Sequence, residues 1–221
     1  MKNIIDIVNE YSNITEGFKI NKNLNIHIEK PESKEELQKI LEKRFNKNNE
    51  VLNVSNIDVT KINKLSRLFN FDYNGDKYEK YKIKKIVGLG TWDVSNAIEM
   101  SFMFSDLGGL EEIDDISDWD VSNVKLMFRM FDSCKKLKQL DLSNWNTENL
   151  INCYGMFGKC YSLESVGDIS NWKLAKLDDA DYMFANCKRL KLDIKKWNLK
   201  STQNRIKAWS INTEAPKVII K

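Results

Sequence analysis

The sequence predicts an α/β solenoid of about six strand–helix coils, closed at its start by a helical cap, and three observations carry that prediction. Trp92, Trp119, Trp145, Trp172 and Trp197 recur at spacings of 27, 26, 27 and 25 residues. Each opens a segment of one type, from WDVSNAIEMSFMF through WDVSNVKLMFRMF, WNTENLINCYGMF and WKLAKLDDADYMF to the divergent WNLKSTQNRIKAW. Between one such segment and the next lies a cluster of leucine, isoleucine and valine. Self-similarity at a period of about 20 to 50 residues marks a repeat array in which every unit buries its apolar face only against its neighbours.

Counting from each Trp as position zero, the apolar positions are +2, +5, +8, +11, +12 and +15. Position +11 holds Met103, Met130, Met156 and Met183, and +12 holds Phe104, Phe131, Phe157 and Phe184. Steps of three and four define one face of an α-helix, with the Met–Phe pair at its centre. Ser95 and Ser122, at +3, stand where an N-cap would accept the first free amides. The second cluster, including Leu110 and Ile113, Leu137 and Leu140, Leu163 and Val166, alternates in Leu140-Asp141-Leu142 as a short strand with Asp141 facing out. Indole N–H groups need partners when buried, so the Trp rings are expected half-exposed at the turns.

The same template fits once before the first Trp, from Ile57 through Leu65, Leu68 and Phe69. Its distance to Trp92 is 35 residues, which places an insertion at about 70–85, with Asn74-Gly75 as its turn. Residues 1–56 lack the repeat and are expected to cap it as a helix–strand–helix region. Ser33 and Glu36 form a capping box ahead of a helix whose apolar face is Leu37, Ile40, Leu41 and Phe45. The run Leu24 to Ile28 alternates as a strand. Residues 57–221 form the repeat array, with Arg205 to Trp209 and Val218 to Ile220 as its closing cap.

The repeat resembles that of the BspA-like leucine-rich-repeat family, bacterial surface proteins with relatives on phages and mobile elements. The pattern L-x-x-L-x-L-S-x-W-[DN]-[VT]-S-x-V followed by M-x-x-M-F-x-x-C is fullest from Leu137 to Cys160 and extends well over 92–197, more weakly over 57–91 and 198–221. The segment Pro31 to Asp58 resembles the capping helix and first coil that open such arrays. The resemblance implies a right-handed leucine-rich-repeat array and adhesion or protein binding, with no shared catalytic residues.

Composition narrows the chemistry. A net charge of +3 in 221 residues favours neither nucleic acid nor membrane. Met1 to Asn13 contains no apolar run of signal-peptide type, and no stretch approaches the length of a membrane-spanning helix, so the expected location is cytoplasmic; a mature secreted fragment would instead act at the surface. One histidine, His27, excludes a multi-histidine metal site within the chain. Cys134, Cys160 and Cys187 share +15 with Leu107, which identifies small buried apolar positions; Cys153 shares +8 with Met100 and Met127. No CxxC occurs, so zinc is not expected.

Charge is the unusual surface property. Residues 92–118 carry eight acids (Asp93, Glu99, Asp106, Glu111, Glu112, Asp114, Asp115, Asp118) and no Lys or Arg. Asp114 to Asp120 lacks the glycine and terminal glutamate of a calcium-binding EF-hand loop. Lys135, Lys136 and Lys138, with Lys188, Arg189 and Lys191, align as a basic ridge broken by Tyr161, Ser162 and Glu164. These features predict a non-enzymatic protein-interaction module, with no cofactor, metal or small-molecule substrate. Its partner is a protein with a basic surface, met by Glu111, Glu112, Asp114, Asp115, Asp118 and Asp141. The alternative is a cytosolic phage or mobile-element inhibitor that blocks a nucleic-acid-handling defence enzyme of the host through the acidic coil.

Overall fold

A computed structural model describes residues 27–45, 50–69, 83–192, 194 and 197. The expected strand before residue 27, the insertion turn at Asn74-Gly75 and the closing cap lie outside the described residues. Ile83 is buried and Lys85 belongs to a strand.

Helix α1 (Lys34–Arg44) forms as its local chemistry dictates. The Ser33 hydroxyl accepts the Glu36 amide at 3.2 Å, and Glu36 returns a carboxylate to the Glu32 amide at 2.9 Å. Glu35 and Glu36 open the helix and Lys43 and Arg44 close it, complementing the helix dipole. Leu37 and Leu41 are fully buried, and Ile40 and Phe45 pack against the same core. Arg44 anchors the last turn by an ion pair with Glu29 and a 2.6 Å hydrogen bond to the Ser55 carbonyl.

The expected array of six strand–helix coils is overturned. Among the described residues α1 is the only α-helix, and it precedes the repeats. Among the described residues the strands are three: β1 (Val51–Asn53), β2 (Lys85–Val87) and β3 (Glu112–Ile113), paired in parallel in the order β1-β2-β3. Leu140-Asp141-Leu142 is not a strand; it donates two backbone bonds to the next repeat, from Leu140 to the Ser165 carbonyl and from Leu142 to that of Val166. The segments expected as helices are successions of turns.

The cause is where the amides point. In the repeat opened by Trp92, the amides at +8, +10, +12 and +14 (Met100, Phe102, Phe104, Asp106) donate to carbonyls of the next repeat (Leu126, Phe128, Met130, Asp132) at 2.8–2.9 Å. The repeats opened by Trp119 and Trp145 repeat this pattern position for position. The intervening amides close i→i+3 turns, as Met103 does on Met100 and Met130 on Met127. Residues at +10 and +14 take left-handed φ values: 59° at Phe102, 50° at Arg129, 60° at Gly155, and 65°, 64° and 60° at Asp106, Ser133 and Lys159. A left-handed residue other than glycine costs about 1–2 kcal/mol and ends any α-helix. Ser95 and Ser122 therefore cap no helix; their amides donate to Asp93 and Asp120 at 3.0 Å in Asx turns.

Repeats held in register stack like on like. Phe69, Phe104, Phe131, Phe157 and Phe184 form a column with centroids 5.0–5.6 Å apart and near-parallel planes. Trp119, Trp145, Trp172 and Trp197 form a second at 6.1–6.4 Å. These indoles are buried, contrary to the half-exposure expected of them, because each finds a partner inside. Trp92, Trp119, Trp145 and Trp172 donate Nε1–H to Val54, Leu89, Ile116 and Leu142 at 2.9–3.1 Å. The carbonyls of Leu89, Ile116 and Leu142 also accept the backbone amide of their own repeat's Trp, so both lone pairs are used. Asn96, Asn123 and Asn149 form a third column, each donating to the preceding repeat at 2.8–3.0 Å.

Phe131 is fully buried between Phe104 and Phe157, so Phe131→Ala should destabilise the protein by about 3–5 kcal/mol through the cavity it leaves. Chemical denaturation followed by tryptophan fluorescence measures this; a loss under about 1 kcal/mol contradicts the packing.

Candidate functional site

Five of the six acids singled out by the sequence are held, in three ways. Glu112 pairs with Lys85 at 2.6 Å and Glu111 with Lys136 at 3.7 Å, both on the surface, where such pairs contribute little. Asp115 and Asp141 accept the amides of Ser117 (2.8 Å) and Ser143 (3.0 Å) in Asx turns. Asp114 accepts the Gly88 amide across the repeat boundary. Asp118 is exposed, with no partner among the described residues. Two acids of the segment, Glu111 and Glu112, thus take counter-charges from neighbouring repeats, which a count along 92–118 cannot see.

Four of the six line one cleft of about 380 Å³: Glu112, Asp114, Asp115 and Asp141 surround it, with Ile113, Ile116, Gln139 and Leu140. Glu111 and Asp118 lie outside its lining. The cleft opens where the parallel ladder breaks. Ile86 pairs with Ile113 and Gln139 bridges to Ser165, but no backbone hydrogen bond joins 111–115 to 137–142. Sequence supplies the reason: Ile113-Asp114-Asp115-Ile116 and Val166-Gly167-Asp168-Ile169 each set two residues between their apolar ends, whereas Leu140-Asp141-Leu142 sets one. The shortened corner draws Leu140 out of register with Ile113, and these two keep 7% and 9% exposure in a core otherwise closed at this level.

Gly88 is required here. Its φ is 97°, and a Cβ would stand 2.3 Å from the Ser55 amide nitrogen. No other residue could bring this amide to the Asp114 carboxylate.

Other candidates are accounted for differently. Cys134, Cys160 and Cys187 are buried and free, with Sγ 2.9–3.1 Å from the carbonyls of Phe104, Phe131 and Phe157. Burial pushes the thiols of Cys134, Cys153 and Cys160 well above the ordinary range. Among the described residues no group of three or more His, Cys, Asp or Glu is placed to hold a metal ion. The basic residues 135, 136, 138, 188, 189 and 191 are exposed, and Arg189 lies 3.4 Å from Glu164. His27 is exposed and lies in no strand.

Two features escape the sequence. Asp132, at +13, is 8% exposed, and burial raises its carboxyl pKa despite Lys159 and Arg129 nearby. The second is an aromatic column on the surface: Phe102, Phe128, Tyr154 and Tyr182, with centroid steps of 4.9, 5.2 and 5.4 Å. Arg67 lies 4.0 Å over the Phe102 ring, and Arg129 sits 5.5 and 5.6 Å from the centroids of Phe128 and Tyr154. Beside the column Ile98, Leu126 and Ile151 are exposed. Its members stand at +10, +9, +9 and +10, so counting one position per repeat misses it.

The chain belongs to the family described as Mycoplasma protein of unknown function, DUF285, whose model matches residues 35–165 and again 109–217. At the level of the family this agrees with the BspA-like resemblance. No curated protein and no solved structure gives a significant match. No helix among the described residues is long and apolar enough to cross a membrane.

Two measurements test these environments. A thiol reagent should modify the native protein slowly and the denatured protein fast, since buried thiols yield no thiolate; rapid native labelling of all four overturns the assignment. For Asp132, a folded pKa raised above 3.8 means the ionised form is penalised only in the folded state. Below that pH Asp132→Asn should match wild type in stability. As pH rises through the elevated pKa, wild type should lose stability relative to the variant. Urea titrations at several pH values read the difference, and a constant gap contradicts the raised pKa.

Proposed function

We propose that the chain is a non-enzymatic protein-binding module whose partner presents a basic surface to the cleft at the ladder break. The observation that carries this reading is the cleft itself: four carboxylates around an apolar floor of Ile113 and Leu140. A lysine or arginine side chain has the matching form, an aliphatic stem ending in a charged donor. Asp114, Asp115 and Asp141 are already oriented by backbone amides, so little side-chain entropy is lost when a cation arrives. A narrower form of this reading, an inhibitor from a phage or mobile element that occupies the basic groove of a nucleic-acid-handling enzyme, would use the same four carboxylates.

The test must spare the fold. Lysine at Asp114, Asp115 or Asp141 would remove an acceptor that the backbone uses, so amides are the informative replacements. The variant Glu112→Gln, Asp114→Asn, Asp115→Asn, Asp141→Asn keeps one oxygen at each position to accept the backbone amide and removes four charges. Wild-type protein immobilised in host extract should retain partners that elute with added salt, and the variant should associate with them at least about tenfold more slowly. Equal capture by a variant whose circular dichroism is unchanged overturns the cleft as the binding site.

A further inference from the structure

Exposed apolar side chains concentrate on one face of the stack. Ile98, Leu126, Ile151 and Tyr182 are 37–39% exposed, and Phe102, Phe128 and Tyr154 lie half-buried beside them. All come from positions +6 to +10 of four successive repeats. This face is distinct from the acidic cleft, which is built from the corners before each Trp.

Its chemistry excludes several ligands. The amides of Met100, Phe102, Met127, Arg129, Cys153 and Gly155 donate to the next repeat, so this face offers no open edge for an added strand. Flat ligands such as sugars or bases need free ring faces. Here Phe128 and Tyr154 stack on one another at 16°, and Arg67 covers a face of Phe102. The face sets partly exposed aromatic rings beside exposed aliphatic side chains, which suits apolar side chains of another protein.

Spacing selects the partner's conformation. Successive ring centroids of the column lie 4.9, 5.2 and 5.4 Å apart. An α-helix lying along the stack advances about 5.4 Å per turn and stays within about 1 Å of the rungs over three steps. Same-side residues of an extended strand advance about 6.7 Å and fall out of step by about 4–5 Å over the same distance. Charge then sets direction. Toward the start of the stack the face carries Lys64, Arg67, Lys125 and Arg129 against one carboxylate, Glu99; at its far end it carries Asp178, Asp179 and Asp181. Helices commonly bear acids in the first turn and bases in the last.

We infer that the +6 to +10 face docks an amphipathic α-helix of a partner protein. The helix sets one apolar side chain per turn against Phe102, Phe128, Tyr154 and Tyr182, with its acidic first turn over Lys64 and Arg67 and its basic last turn over Asp179 and Asp181. This rests on the protein-binding reading above but not on the acidic cleft.

Three fluorescein-labelled synthetic helical peptides of equal composition, each of about four turns, serve as probes. One has a leucine stripe with acids first and bases last, one has the charged ends exchanged, and one has the leucines scattered around the helix. Anisotropy titration of the full chain should show the first binding at least tenfold tighter than either of the others. Leu126→Lys with Ile151→Lys should weaken it tenfold or more with circular dichroism unchanged, since both residues are exposed. Arg67→Glu should narrow the gap between the first two peptides. The four-amide cleft variant should bind the first peptide as wild type does. Equal binding of the exchanged peptide, unchanged binding by the Leu126/Ile151 variant, or no binding of the first peptide at about 1 mM overturns the inference. If the cleft variant loses host partners while no peptide binds, the protein-binding reading stands and the helix-docking face falls. If the first peptide binds but cleft neutralisation leaves host capture unchanged, the cleft falls and this face stands.

Discussion

Between +8 and +14 of the repeats opened by Trp92, Trp119 and Trp145, every second amide is aimed along the stack at the next repeat, and most other features of the described residues follow from that alternation. An α-helix would satisfy these amides internally and leave repeats joined by side chains alone. Here half of them join the repeats directly, as from Met127 to Asn152 and from Phe131 to Met156 at 2.8 Å. The cost is two left-handed residues per repeat, at about 1–2 kcal/mol each where the residue is not glycine. The return is an exact register, since a ladder of backbone bonds cannot slip by one residue without breaking every rung. Register is what permits columns of identical side chains. A Phe can lie face-on against a Phe, and a carbonyl can accept both its own Trp amide and the next Trp indole, only if corresponding atoms sit one repeat apart.

The same constraint makes the surface a set of columns, so a local departure in sequence becomes a local departure in shape. Removing one residue between Leu140 and Leu142 leaves the +7 to +14 ladder intact, because Leu126 still bridges Asn152 and Met127 still bonds to it. The strain is taken up at the corner instead, where bonds to the 111–115 segment are lost and the cleft opens. A defect confined in this way can carry function without unravelling its neighbours, which remain joined on their other sides.

Legibility divided along physical lines. Burial was readable: Met103, Phe104, Met130, Phe131, Met156 and Phe157 are fully buried at the positions the periodicity assigns to the core. So was α1, whose cap, acidic first turn and apolar face are all local in sequence. The conformation of the repeat segments was not readable, because chained i→i+3 turns place apolar side chains at steps of three and four just as an α-helix does. What differs is φ at Phe102, Arg129 and Tyr182, and the large side chains there give no sign of left-handed backbone. At the acidic site the residue types were readable but their partners were not. Lys85, Lys136 and the Gly88 amide come from other repeats, so they emerge only with the register. The surface aromatic column stayed hidden because it steps between +9 and +10.

A repeat stack also explains why its binding features can be rigid without dedicated support. Each side chain on a column is flanked by the equivalent residue above and below, so its orientation is set by the ladder that makes the core. Asp114 shows the principle at one atom: its carboxylate is held by an amide whose direction depends on the left-handed Gly88, and Gly88 is itself set close against Ser55, just ahead of the first repeat. Two successive repeats and the segment before them thus fix one carboxylate. Pre-organisation of this kind lowers the entropy lost on binding, and it concentrates affinity in geometry more than in area. It follows that substitutions in the core columns near the cleft should alter recognition before they alter the fold, since carboxylate placement depends on a register that stability only needs approximately.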